Sequence, residues 1–273
     1  AMRKAKFDIL FPCMLALATL AILSCQPTGG KGNDGQKGDN GEEVLFLTDS
    51  VHVSKNIDSI MSIDYDFQFL KPGNTVADSI NAGINRLCIS GSHDADVCTA
   101  ISMAIDKEVN EMKAEVVEFY EPDDETFGEI QFYINRKGRF DADAADTVMV
   151  YQSSIDQYTG GAHGSYIPYT LNFSKRTGLL IGIGDVLDAT QEQAILDIML
   201  AKLLKDNNCS TREELMEKTG ILGLGELYLT ENFQLRKDSI TFCFGQYDIA
   251  PYSSGITYIS LSYDSLKQYL KTN

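Results

Sequence analysis

Residues equipped for chemistry are sparse in this chain, and their densest group is Tyr158-Thr159-Gly160-Gly161-Ala162-His163-Gly164-Ser165-Tyr166. Three glycines within five positions imply positive φ angles or a close backbone approach. His163, set among small residues, has the side chain best suited to moving a proton near neutrality. Catalysis would also require a nucleophile, a carboxylate or a metal beside it, and the adjoining sequence offers none. The plainer expectation is a tight bend joining two strands, its histidine hydrogen-bonded to backbone. Around such a bend Tyr166, Tyr247 and Tyr252 could supply stacking faces, each ending in a hydroxyl.

Other catalytic signatures are missing. There is no Gly-x-Ser-x-Gly elbow, no His-Glu-x-x-His, no phosphate-binding P-loop and no Gly-x-Gly-x-x-Gly. The remaining histidines, His52 and His93, stand in unrelated contexts. Asp141, Asp143 and Asp146 have part of the spacing of a calcium loop but lack its glycine and terminal glutamate, so a solvated turn is expected. Acidic pairs for glycoside hydrolysis abound, and that abundance singles out none. No catalytic residue, metal site or cofactor is assigned.

Cysteines outside the N-terminal segment are Cys88, Cys98, Cys209 and Cys243. An even number in an exported chain suggests disulfides, and four cysteines allow three connectivities. Cys88 with Cys98 is the natural local pair, closing a loop between two helices, which would leave Cys209 with Cys243. A structural zinc site lacks the Cys-x-x-Cys or matched histidine spacing it needs, and buried free thiols are the alternative for Cys209 and Cys243.

The elements that must position these residues read as α+β. Ile63, Tyr65, Phe67 and Phe69 alternate with polar residues, the period of a half-buried strand. Helical spacing of apolar residues covers 75–87 and 99–120, the second stretch ended by Pro122 and an acidic cluster. Strands follow at 129–135, 148–154 and 169–174. A helix over 191–205 opens with the capping-box pattern Thr190 to Gln193, and Ser210 to Glu213 repeats the pattern for a shorter one. Residues 232–235 and 239–244 form a hairpin, 257–261 another strand, and a short helix carries Leu266, Tyr269 and Leu270. Strands interrupted by blocks of helix predict antiparallel sheets with helices packed on one face, in two subdomains, 44–157 and 158–273.

The N-terminus carries an address. Arg3, Lys4 and Lys6 precede an apolar run, Ile9 to Leu23, too short for a stable membrane-spanning helix and suited to a secretory leader. Ile22-Leu23-Ser24-Cys25 resembles a bacterial lipobox, which implies cleavage of residues 1–24 and lipidation of Cys25. Residues 25–43, with glycine at every third position from Gly29 to Gly41, read as a flexible tether. An exported, lipid-anchored body facing the periplasm is expected. The 273-residue chain has 23 basic and 39 acidic residues, a formal charge of −16. Loss of the leader would remove three basic groups and one acidic group, leaving −18. Such acidity argues against nucleic acid and against anionic lipid surfaces, favours solubility, and permits a basic partner.

Residues Tyr158 to Gly164 resemble the Tyr-x-Gly-Gly-Ala-His motif of the extracellular module of the RsiV-type, lysozyme-sensing anti-sigma factors, a module that also precedes the catalytic domain of PdaC-type peptidoglycan deacetylases. Asn172-Phe173, Thr177-Gly178 and Asp185-Val186-Leu187 match the next segments of that module. So does Phe244-Gly245-Gln246-Tyr247-Asp248-Ile249-Ala250-Pro251-Tyr252, with Gly255. The resemblance runs from about Tyr158 to Leu270; upstream only the order of elements agrees. The deacetylase's metal motifs are absent, as are the anti-sigma factor's cytoplasmic segment and membrane-spanning helix. What the resemblance implies is the recognition module alone.

A non-enzymatic envelope lipoprotein that binds a basic, lysozyme-like muramidase is therefore expected first. A module binding peptidoglycan fragments or another glycan comes second, weakened by the absence of tryptophan, and an envelope hydrolase third. The ligand-binding candidates are Tyr158, Gly160, Gly161, His163, Tyr166, Tyr247 and Tyr252.

Overall fold

The computed structural model describes residues 34–37, 43–57, 61–91, 96–119 and 132–271. The expected leader, Cys25, most of the tether and the Pro122 helix stop lie outside the described residues. Within the span read as tether lies β1 (Asp34–Lys37), which pairs antiparallel with β2 (Glu43–Phe46), a strand that starts at the end of that span.

The first layer is a five-stranded sheet of β3 (Thr48–Ile57), β4 (Met61–Leu70), β5 (Phe132–Phe140), β6 (Val148–Tyr158) and β7 (Ser165–Ser174), in that spatial order. On β4 the expected alternation holds: Met61, Ile63, Tyr65 and Phe67 are buried between partly exposed Ser62, Asp64 and Asp66. Between β4 and β5 the chain makes α1 (Thr75–Ile84), a π-helical turn (Asn85–Ile89) and α2 (Val97–Phe119). Asn74 caps α1 by accepting from the Ala77 amide at 2.8 Å. Asn81 clamps α1 to the end of β4, its amide bonding both the Leu70 N–H and the Leu70 carbonyl. This helical excursion returns β5 alongside β4 in the same direction, so β4 and β5 pair parallel while every other pair is antiparallel. The α+β class with mainly antiparallel pairing holds, and this one parallel seam departs from it because parallel neighbours require a long crossover and this chain has one.

Both helices pack on one face of the sheet. Ile80, Ile84, Ile101 and Ile105 meet Ile63, Tyr65 and Phe67 in a first core. Glu108 reaches into it from α2, accepting from the Tyr65 hydroxyl at 2.5 Å and pairing with Arg136 on β5. The Arg136 guanidinium also lies 5.7 Å over the Tyr65 ring. Burial pushes the Tyr65 phenol far above its ordinary range. Gly138, opposite Phe67, has no room for a side chain, since a Cβ there would collide with the Tyr151 hydroxyl, which crosses to the Gln68 carbonyl at 2.9 Å.

The second layer starts on the other face of β6, where Val148 and Val150 point away from Met149 and Tyr151. It continues through α3 (Ile183–Val186), α4 (Glu192–Asp206) and α5 (Arg212–Thr219), then β8 (Phe233–Leu235), β9 (Ser239–Phe244), β10 (Thr257–Ser262) and α6 (Tyr263–Leu266). The three strands form an antiparallel sheet, β10-β9-β8, and Ile195, Met199 and Leu203 of α4 join its core. The two cores thus part across β6, whereas the division expected at Tyr158 falls within the β6–β7 hairpin.

Two helix starts differ from the patterns. Before α4 no Thr190–Gln193 box forms; Thr190 instead donates to Asp188 in a 3-10 turn. At α5 the cap is Thr211, one residue later than expected, with Glu214 accepting from the Ser210 amide at 2.7 Å.

Side-chain amides join the layers. Asn172 of β7 donates to the Phe233 carbonyl at 2.8 Å and accepts from the Leu235 amide at 3.0 Å. Asn232 mirrors it on β7, accepting from Thr170 N at 3.0 Å and donating to Pro168 O at 2.8 Å. Each amide stands in for a strand neighbour, satisfying backbone groups that separate sheets would leave unpaired. No helix among the described residues is long and apolar enough to cross a membrane.

Candidate functional site

Between β6 and β7 the chain turns through Gly160 (φ 109°) and Gly161 (φ 92°), a left-handed pair that only glycine adopts without strain. Gly164 then passes close under the hairpin, where a Cβ would lie 2.9 Å from the Gln157 carbonyl. This bend projects His163 toward the loop after β9. There Tyr247 also stands in the left-handed region, at φ 68°, a conformation that costs a non-glycine residue on the order of 1 kcal/mol. Its amide bonds the Ala250 carbonyl at 3.1 Å, and Asp248 caps the Gly245 amide at 2.6 Å. Pro251 leads into the single turn Tyr252–Ser254.

His163, Tyr247 and Tyr252 meet at this bend. The His163 ring stacks on Tyr252 with centroids 3.8 Å apart and planes 23° off parallel. Its Nδ1 lies 2.9 Å from the Gly164 carbonyl and its Nε2 3.1 Å from the Tyr247 hydroxyl. One neutral tautomer meets both bonds: Nδ1–H donates to the carbonyl and Nε2 accepts from the phenol. Neither partner is a carboxylate or a nucleophile. The arrangement is an exposed aromatic patch held by hydrogen bonds, with Tyr247 54% exposed at its edge.

The other candidates go elsewhere. Tyr158 stacks on Phe132 at 6.1 Å and donates to the Gly161 carbonyl at 3.0 Å, bracing the bend from within. Tyr166 bonds the Gln246 side chain through its backbone amide, while its side chain helps line a neighbouring cleft between the two sheets. Sequence reasoning missed that cleft, because its floor is built from alternate residues of three strands, none distinctive alone.

Asp141, Asp143 and Asp146 form no converging cage. Asp141 accepts from the Asp143 amide at 2.8 Å through one oxygen, and from Gln152 and Gln234 through the other. Among the described residues no three or more His, Cys, Asp or Glu gather in a way that could hold a metal ion.

The expected disulfides are corrected. Cys88, Cys209 and Cys243 are free thiols, so neither Cys88–Cys98 nor Cys209–Cys243 is made. The π-helical turn carries Cys88 inward, beside Ser153. Cys209 follows α4 with its thiol 3.5 Å from the Asn207 carbonyl, while Cys243 neighbours Tyr258. Burial pushes both the Cys88 and the Cys243 thiols up to about 11.

Residues 185–264 match the family model described as a protein of unknown function, DUF3298. A crystal structure of a DUF3298 family member from Bacteroides fragilis superposes with a TM-score of 0.75 at 23% identity, covering 89% of this chain and 96% of that one. A DUF3298 family protein from Pseudomonas aeruginosa gives a TM-score of 0.59 at 16% identity, over 83% and 94%. These likenesses concern the fold. No curated protein matches the chain.

Proposed function

We propose that this protein is a non-enzymatic recognition module of the bacterial cell envelope, exported and anchored through a lipidated Cys25, whose His163–Tyr247–Tyr252 patch docks a basic protein of the lysozyme type. The observation that carries the reading is the state of His163. Both ring nitrogens are committed to structural hydrogen bonds and one ring face is stacked on Tyr252. The imidazole is spent on shaping a surface. Tyr247 is exposed and Tyr252 half-buried beneath the His163 ring, and tyrosines anchor protein interfaces because they bury large area at small entropic cost. The formal charge of −16 would speed the approach of a basic partner.

Calorimetric titration with a basic lysozyme at low and physiological salt tests the reading. Saturable one-to-one binding that survives physiological salt, and weakens at least tenfold in Tyr252→Ala, is expected. Heat that disappears with added salt would reduce the interaction to charge attraction and dismiss the docking site. For the anchor, metabolic labelling with a fatty-acid analogue should mark the protein and fail in Cys25→Ala; equal labelling of both would rule that anchor out.

A further inference from the structure

A cleft of about 260 Å³ opens between the outer face of the five-stranded sheet and the small sheet. Strand register builds its floor. Lys137, Ser154 and Pro168 stand side by side across β5, β6 and β7, and Arg139, Gln152 and Thr170 form the next row. Tyr166 and Tyr258 wall it, 41% and 56% exposed.

Its polar groups divide into committed and uncommitted sets. Arg139 is tied to the Asp66 carboxylate and carbonyl, Gln152 is held by Asp141 and Gln234, and Tyr258 contacts the Cys243 thiol. In contrast, the Lys137 ammonium and the Ser154 and Thr170 hydroxyls make no hydrogen bond or ion pair among the described residues. One uncommitted cation and two uncommitted hydroxyls therefore share a concave surface with two phenol rings, in a chain of charge −16.

We infer that this cleft binds a saccharide bearing a carboxylate, with the sugar ring against Tyr166 and Tyr258, its hydroxyls on Ser154 and Thr170, and its carboxylate on Lys137. Tyrosine faces pack against the C–H side of a ring while their hydroxyls and the neighbouring side chains meet its polar rim. A lone lysine acts as a point charge without the bidentate fork of an arginine, and the neighbouring Arg139 is occupied by Asp66, which suits a single carboxylate rather than a phosphate cluster. The chain's own field repels anions in general, so a cation placed inside the cleft selects ligands that also fill it. The site does not depend on the muramidase reading: a chain that ignores lysozyme would still bind the sugar.

The test is calorimetry on the full chain with three disaccharides. Two are acidic, one ending in glucuronic acid and one in N-acetylmuramic acid; the third is cellobiose, the neutral counterpart of the first. Saturable binding of at least one acidic sugar is expected, at least tenfold tighter than cellobiose. Lys137→Gln should abolish that preference and leave the thermal midpoint unchanged, since Lys137 is exposed. Thr170→Val should weaken the acidic sugar about threefold or more. Which acidic sugar binds tighter distinguishes a hexuronate glycan from a cell-wall fragment as the source. Absence of saturable binding at millimolar concentrations overturns the inference, as does equal affinity for cellobiose or retention of the preference in Lys137→Gln.

Discussion

Replacing Asn172 with alanine should separate the two layers energetically. The side chain is 1% exposed and satisfies two backbone groups of β8, the Phe233 carbonyl and the Leu235 amide. Residues 233 and 235 are buried, and the residues flanking β8 bond the β9 side instead, through the Asn232 carbonyl to Cys243 N–H and the Arg236 N–H to Ser239. Truncation thus leaves two buried backbone groups unpaired, each at a cost of about 1–3 kcal/mol. Allowing for water entry, the loss should be about 3 kcal/mol, a large part of an ordinary domain's roughly 5–15 kcal/mol. With a urea dependence of about 3 kcal/mol/M, the midpoint should fall by about 1 M. Asn172→Asp sharpens the test. It keeps an acceptor for Leu235 N–H but sets a carboxylate oxygen against the Phe233 carbonyl, so the protonated form is the one the fold prefers. Its folded pKa then lies above the unfolded value; the stability is present below that unfolded value and is lost as pH rises. The gap between Asn172→Asp and the wild type should therefore narrow from pH 7 to pH 5. A midpoint shift below about 0.3 M for Asn172→Ala, or an Asn172→Asp variant as stable as wild type at pH 7, would refute the reasoning.

Gly138→Ala should cost about 3 kcal/mol or more by thermal denaturation, because the added methyl collides with both Tyr151 and Phe67 in a packed core; an unchanged midpoint would show that the sheet relaxes freely. The Cys88 thiol, raised by burial from about 9 to about 11, is favoured by the fold in its protonated form. Its contribution, about 3 kcal/mol, is complete below pH 9 and fades as pH rises toward 11, so chemical-denaturation midpoints should begin to fall above about pH 9. At pH 8, alkylation read by mass spectrometry should label half-buried Cys209 before Cys88 and Cys243; labelling of Cys88 as fast as in denaturant would contradict its burial.

What could be read in the sequence follows from which signals are local. The strand at Ile63 and the hairpin 232–244 announce themselves by alternation and by a short connection, and both form. The bend at Gly160 was legible because a glycine-rich turn constrains its own backbone. Strand β3 was missed: only Val51 is buried on an edge strand of mostly half-exposed residues, so its pattern is faint. The parallel β4–β5 pairing was invisible, because direction is decided by a crossover whose length says nothing of handedness or partner. Cysteine spacing misled for a related reason, since proximity along the chain does not fix where a π-helical turn points Cys88. The cleft between the two sheets depends on register across three strands, a long-range property with no local mark.

The parallel seam also sets an order of assembly. Strands β5, β6 and β7 follow one another across short connections, and only three residues separate β3 from β4, so each group can pair early and locally. Closing β4 against β5 must tie a loop of about 60 residues, whose entropic cost exceeds that of a short hairpin by about 2–3 kcal/mol before any contact repays it. Folding should therefore await the two helices of the crossover, which shorten the loop and bring an apolar face to both halves of the sheet. Topologies rich in such distant contacts fold slowly, and until that seam closes β4 and β5 each present an unpaired edge.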